Sequence, residues 1–237
     1  MSIWIPFIGT VLGASCVYIF KEKENEMLSR SFSGIAAGVM VSASIFSLLL
    51  PALEQSHFLM VVLGIWVGAI LMWSLDHFIP HVHFEQEEGK PNHLSRVTKL
   101  VLAMVLHNIP EGMAVGIVYA SGYKPASIAL AIGIALQNFP EGAILSLPFQ
   151  KYVSKHKAFL IGSLSGIVEP LASLVTIYFS KYLGNYIPFL LSMASGAMLY
   201  VVIEKLIPEM AQGKHSNIPT IMFMMGFSLM LVLDQLF

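Results

Sequence analysis

Two six-residue segments hold most of the chemistry in this chain: His107-Asn108-Ile109-Pro110-Glu111-Gly112 and, 30 positions later, Gln137-Asn138-Phe139-Pro140-Glu141-Gly142. On a helix, His107 and Glu111 stand at i and i+4 and Asn108 and Glu111 at i and i+3, so the three polar side chains share one face; Gln137, Asn138 and Glu141 do the same. Together they offer one imidazole, two carboxylates and three amides, and Glu169, followed by Pro170, adds a third carboxylate. That donor set suits a borderline or hard divalent cation such as zinc, iron(II), manganese or cadmium, whereas copper(I) calls for thiolates or thioethers. Three carboxylates outweigh one dication. Two dications bridged by Glu111 and Glu141 come nearer to charge balance, so a binuclear centre is expected.

These side chains need elements to hold them. The chain has 237 residues, 56 % hydrophobic and 11 % charged, about half the charged fraction usual for a soluble domain, and its mean hydropathy is +0.75. An ordinary cytosolic globular protein is excluded. The apolar residues fall in runs of about 20, long enough to cross a hydrocarbon core about 30 Å thick. Segmentation predicts spans at 3–20, 31–53, 58–79, 96–120, 126–149, 157–180, 186–208 and 217–236. The expected fold is therefore an all-α integral membrane protein, one eight-span domain over residues 1–237, with no room for a separate soluble domain. A net charge of −1 gives no basis for a nucleic-acid partner, and the single Cys16 in an apolar run supplies neither a disulfide framework nor a thiolate zinc site.

No charge precedes Lys21, and the first run lacks a signal-peptide layout. With the N-terminus outside, the inner loops and adjoining ends hold Lys21, Lys23, Arg30, Lys90, Arg96, Lys99, Lys151, Lys155, Lys157, Lys205 and Lys214, against Lys124 and Lys181 outside. This asymmetry predicts a multi-pass cell-membrane protein with both termini outside and the loop 80–95 in the cytoplasm.

A carboxylate at the bilayer centre costs at least about 2.5 to 3.5 kcal/mol, so Glu111, Glu141 and Glu169, all near mid-span, are expected to be functional. Pro110 cannot donate to the carbonyl of Leu106, nor Pro140 to that of Leu136, and each helix is expected to kink at its polar cluster. A freed carbonyl in lipid is tolerated only where protein, water or a ligand satisfies it, which places both clusters inside the bundle. A hydrogen-bonded polar zipper between helices is the bland reading, but such packing does not require carboxylates. The stripe Ser33, Ala36, Ala37, Met40, Ala43, Ser44, Ser47 suggests close packing or a watered groove, with Met40 by type a gap-filler. Near the third span's inner end, Asp76, His77, His81 and His83 form a metal-suited tract that reads as an exit-side relay, which Glu204 can join. Asp234 is a candidate entrance carboxylate, while His57, His156 and His215 read as solvated.

At these residues the sequence resembles the ZIP (Zrt/Irt-like) family of divalent-metal transporters, in its bacterial branch. The resemblance covers the whole chain: eight spans, a His-bearing inner loop between the third and fourth, HNIPEG in the fourth and QNFPEG in the fifth. It implies an inverted-repeat bundle in which the first three and last three spans are related around the central pair (3+2+3), with sites near the midplane. It assigns a first metal site to His107, Glu111, Gln137 and Glu141, with Met40 as an additional ligand. A second site falls to Asn108, Asn138 and Glu169, bridged by Glu111 and Glu141. Position 138 departs from family members that carry Asp, and the neutral Asn138 lowers the charge of the second site.

The expected function is a transporter that moves divalent transition metal, zinc foremost and also iron, manganese or cadmium, into the cytoplasm, with metal as substrate and no organic cofactor. Carboxylates and imidazole bind metal only when deprotonated, so uptake is expected to depend on pH. No nucleotide-binding motif suggests ATP coupling. The competing reading is an intramembrane metal-dependent hydrolase, against which stands the lack of a second His within the fourth or fifth span. Expected partners are metal ions and the lipid bilayer; a homodimer is compatible with the sequence.

Overall fold

The structure, a computed structural model, describes residues 2–20, 26–78, 93–150 and 152–237, and of residues 78, 93–100 and 103 the backbone alone. The described chain forms eight helical rods: α1 (Ser2–Ile19), α2 (Glu26–Gln55), α3 (Phe58–Phe78), α4 (His93–Ala120), α5 (Lys124–Phe149), α6 (Lys155–Ser180), α7 (Gly184–Ala211) and α8 (Ile218–Leu236). Seven of them, all but α4, are long and apolar enough over described residues to cross a membrane. The helix α4 runs 28 residues, about 42 Å at 1.5 Å per residue. Residues such as Leu59, Leu63, Trp66, Ile70 and Trp73 on α3, and Ile221, Met225 and Val232 on α8, are exposed, which is the surface that hydrocarbon solvates at no cost.

The rods pack chiefly in four pairs: α1 with α5, α2 with α8, α3 with α7, and α4 with the second half of α6. Apolar side chains gain nothing by leaving lipid for one another, so close backbone approach through small residues holds such pairs. Each pair uses it. Gly9 and Gly13 of α1 lie on the backbone of Ala135 and Phe139, Gly34 and Gly38 of α2 on Pro219 and Phe223, Gly64 and Gly68 of α3 on the Phe189–Met193 turn of α7, and Gly112 and Gly116 of α4 on Glu169 and Ser173. In all four the glycines are spaced i and i+4, one face of a helix. Exchanging α1 with α6, α2 with α7, α3 with α8 and α4 with α5 converts the pair α1–α5 into α6–α4 and α2–α8 into α7–α3, the relation a 3+2+3 repeat requires.

Both α4 and α5 stay continuous α-helix through Pro110 and Pro140. The interruptions lie elsewhere. In α6 the ladder gives way at Gly166 and Ile167, where Gly166, Ile167 and Glu169 N–H groups bond to residues three back; Pro170 displaces the carbonyl of Gly166, and the bare Cα of Gly166 packs on Thr10. In α2 and α7 the segments Ala43–Leu49 and Val202–Leu206 are π-helical, with Leu50 N–H bonding to Ile45 O and Ile207 N–H to Val202 O. Each precedes a proline, Pro51 or Pro208, that cannot donate to the carbonyl four residues back, Ser47 or Glu204.

Candidate metal centre

The break in α6 sets Glu169 at the start of a helix, fully buried, with its side chain turned to α1 and α5. Thr10 Oγ1 donates to Glu169 Oε1 at 3.2 Å and Asn138 Nδ2 donates to Glu169 Oε2 at 2.9 Å. The backbone behind it is fixed by α4: Gly112 lies against Glu169, and Ser173 Oγ donates to the Gly112 carbonyl at 2.7 Å. A buried carboxylate is tolerable only with donors on its oxygens, and Thr10 and Asn138 supply one each.

The two repeated motifs face one another across α4 and α5. Gln137 Nε2 donates to Glu111 Oε1 at 2.6 Å. Asn108 Nδ2 donates to the Ser165 carbonyl at 3.1 Å, where α6 breaks, and Asn138 Nδ2 also reaches the Pro6 carbonyl at 3.4 Å. These contacts form the polar zipper that the sequence allowed. In the two motifs Glu111 Oε2, Gln137 Oε1, Asn108 Oδ1 and Asn138 Oδ1 are buried without a hydrogen-bond partner, as are the hydroxyls of Ser42, Ser146 and Ser163 elsewhere among the described residues. The four motif oxygens are acceptors. Buried oxygens left without donors are costly, and a cation is a group that can satisfy such acceptors.

The remaining residues are arranged more loosely. His107 is buried, and its Nδ1 lies 3.4 Å from the Lys205 ammonium of α7. Glu141 is half-buried, within electrostatic reach of Lys205 and Glu209, while Glu111 is within reach of Glu141, Glu169 and Lys205. Among the described residues no three His, Cys, Asp or Glu side chains close on one point; the amides of Asn108, Gln137 and Asn138 fill the space between the carboxylates. Met40, read as an additional ligand, is fully buried in the apolar core beside Ala36, Ala37 and Ala43, with its carbonyl accepting from Ser44 Oγ at 2.7 Å.

Outside the centre, Tyr200 lies within electrostatic reach of Asp76 and Glu204, two of the expected relay acids, one on α3 and one on α7. His77 is exposed and stacked on Trp73; His81 and His83 lie outside the described residues. Asp234 is half-buried and accepts from Ser47 Oγ at 2.7 Å. Two residues at the centre escape a reading of the sequence. Thr10 is a lone hydroxyl in an apolar run, flagged only by Gly9 and Gly13 around it, and Lys205 reads as one more inner-side positive charge.

Residues 92–234 match the family described as ZIP Zinc transporter. The chain is 37 % identical to the zinc transporter ZIPB of Bordetella bronchiseptica, over 96 % of this chain and 77 % of that protein. It is 33 % identical to the zinc transporter GufA of Myxococcus xanthus, over 96 % and 94 %, and 31 % identical to the zinc transporter ZupT of Streptococcus mutans, over 88 % and 86 %. A match that includes both motif helices and Glu169, and relatives aligned over nearly the whole chain, place it: this protein belongs to the ZIP zinc transporter family.

Proposed function

We propose that this chain carries zinc, and divalent cations of similar donor preference such as iron(II), manganese and cadmium, into the cytoplasm through a site between α4, α5 and α6. Its family is described as zinc transporters, which supports a transporter over an enzyme. The observation that carries the site is the set of four partnerless buried oxygens on Asn108, Glu111, Gln137 and Asn138. A structural zipper would give each motif oxygen a donor; four of these have none.

In this reading the entering ion takes Glu111 Oε2 and Gln137 Oε1 as its first protein oxygens, since both are buried and unsatisfied on residues already joined by a hydrogen bond. His107 and Glu141 complete a first site. Asn108, Asn138 and Glu169 form a second, bridged by Glu111 and Glu141, with less negative charge than the first because Asn138 is neutral. Thr10 keeps Glu169 oriented in the absence of metal. Asp76, His77, His81, His83 and Glu204 receive the ion at the inner end, and Asp234 with Ser47 lies on the entrance side, both termini being outside. Release requires the α2–α8 and α3–α7 pairs to move against the central helices, the rigid-body rocking of repeat transporters.

The test is zinc flux into proteoliposomes. Glu111→Ala is expected to abolish flux while protein yield and oligomeric state stay near wild type, and flux unchanged from wild type would remove Glu111 from the site.

A further inference from the structure

Lys205 stands where a transporter for cations has least use for a positive charge. It projects from the π-helical turn Val202–Leu206, whose extra residue re-aims the side chains of α7. Its ammonium reaches His107 Nδ1 at 3.4 Å. Among the described residues no carboxylate lies within 4.0 Å of that ammonium, Arg30 with Glu26 being the ion pair found there. Glu111 and Glu141 of the candidate site lie within electrostatic reach of it at longer range.

The hydrogen-bond chemistry of the contact is restrictive. An ammonium has three donors and no acceptor, so Nδ1 of His107 presents a lone pair to Lys205 and carries no proton. A metal bound through Nδ1 needs that same lone pair. A metal bound through Nε2 requires the ring proton to move to Nδ1, where it meets an ammonium that cannot accept it. With either nitrogen as ligand, the Lys205–His107 contact is incompatible with a metal on His107.

We propose that Lys205 is a tethered cation that holds the metal-free site, bound to His107 in place of the ion, and that zinc loads only as Lys205 withdraws. The flexible four-carbon stem and the π turn beneath it supply the reach for that movement. Lys205 thereby sets affinity: it lowers the free energy of the empty site, weakens binding, and favours release of the ion once the site opens to the inner side. It is a specificity residue acting by charge and occupancy, and the inference rests on the metal site proposed above.

The experiment is zinc binding to the full-length purified protein by titration calorimetry, for wild type, Lys205→Met and Lys205→Arg, with lysine acetylation followed by peptide mass spectrometry on the wild type. Lys205→Met keeps the length and removes the charge, and zinc affinity is expected to rise by about tenfold or more, since a unit charge no longer opposes a dication at close range. Lys205→Arg keeps the charge and is expected to bind as weakly as wild type. In the wild type, saturating zinc is expected to accelerate acetylation of Lys205 relative to the exposed Lys124 and Lys181, and this readout requires no variant to fold. Affinity in Lys205→Met equal to or below wild type, an equal gain in Lys205→Arg, or acetylation of Lys205 unchanged or slowed by zinc each overturns the tethered-cation role. A wild-type protein that binds no zinc overturns instead the site on which the inference depends.

Discussion

Replacing Gly112 by Ala adds one carbon beside the metal site without touching a polar group. In the structure a Cβ at position 112 falls 2.7 Å from Glu169 Cα and nearer still to its carbonyl oxygen. Ordinary carbon–carbon contact is about 3.5 to 4.0 Å, so α4 and α6 must part by about 1 Å. Neither partner atom belongs to a flexible side chain, and Ser173 Oγ bonded to the Gly112 carbonyl resists the shift. Overpacking of this kind costs about 1–3 kcal/mol. The functional loss exceeds the loss of stability, because Glu169 moves with its backbone while Thr10 and Asn138 stay on α1 and α5; a misplacement of about 1 Å in a tightly positioned site can cost about a hundredfold. The assay is zinc uptake into proteoliposomes at matched protein density, with thermal unfolding in detergent measured in parallel. Gly184→Ala is the control, since a Cβ there meets nothing within 4 Å. Wild-type uptake by Gly112→Ala would refute the reasoning that the α4–α6 contact positions Glu169.

Thr10→Val preserves shape and removes one of the two donors on Glu169; a buried acceptor left unmet costs about 1–3 kcal/mol, read as a lowered unfolding temperature of the metal-free protein that zinc partly restores, and a metal-free protein as stable as wild type would count against the Thr10–Glu169 bond. Asn138→Asp exchanges a donor to Glu169 for a second carboxylate beside it, so the metal-free protein is expected to lose stability while zinc binding tightens at the second site or its selectivity shifts; a binding isotherm identical to wild type would argue against a second site there.

The class of this protein was legible because composition is a bulk property: runs of apolar residues with few charges have one solvent that suits them. The two motifs were legible because the helical period puts their polar residues on one face, and that face is where Gln137 meets Glu111 and where Asn108 and Asn138 meet α6. What escaped depends on contacts distant in sequence. Thr10 and Glu169 are 159 positions apart, and nothing local to Thr10 announces a carboxylate. Lys205 looks like a topological charge until the π turn and His107 are seen together. The prolines show the limit of a local rule: the same missing donor leaves α4 and α5 continuous, breaks α6 where Gly166 packs on Thr10, and widens α2 and α7 into π turns. The outcome is set by what packs around the freed carbonyl, which a single helix does not encode.

The pairing of helices explains why one carboxylate of the centre has no partner of its own kind. Gly112 of α4 lies on the backbone of Glu169, and Gly142, its counterpart in the repeated motif, lies on the backbone of Thr10. Exchange of α4 with α5 and of α6 with α1 therefore carries Glu169 onto Thr10. In the same way Pro51 and Pro208 carry Ser47 onto Glu204, four residues before each proline. The backbone frame is a repeat, but in each case one copy holds an acid and the other a hydroxyl. At the centre the two equivalent positions touch, Thr10 donating to Glu169, so the hydroxyl of one copy satisfies the acid of the other. An acid at both positions would place two buried carboxylates in contact, and like-charge repulsion in low dielectric would keep one of them protonated in the absence of a cation. The repeated frame supplies two equivalent positions, and the difference in residue type gives the acid of one copy a hydroxyl donor from the other.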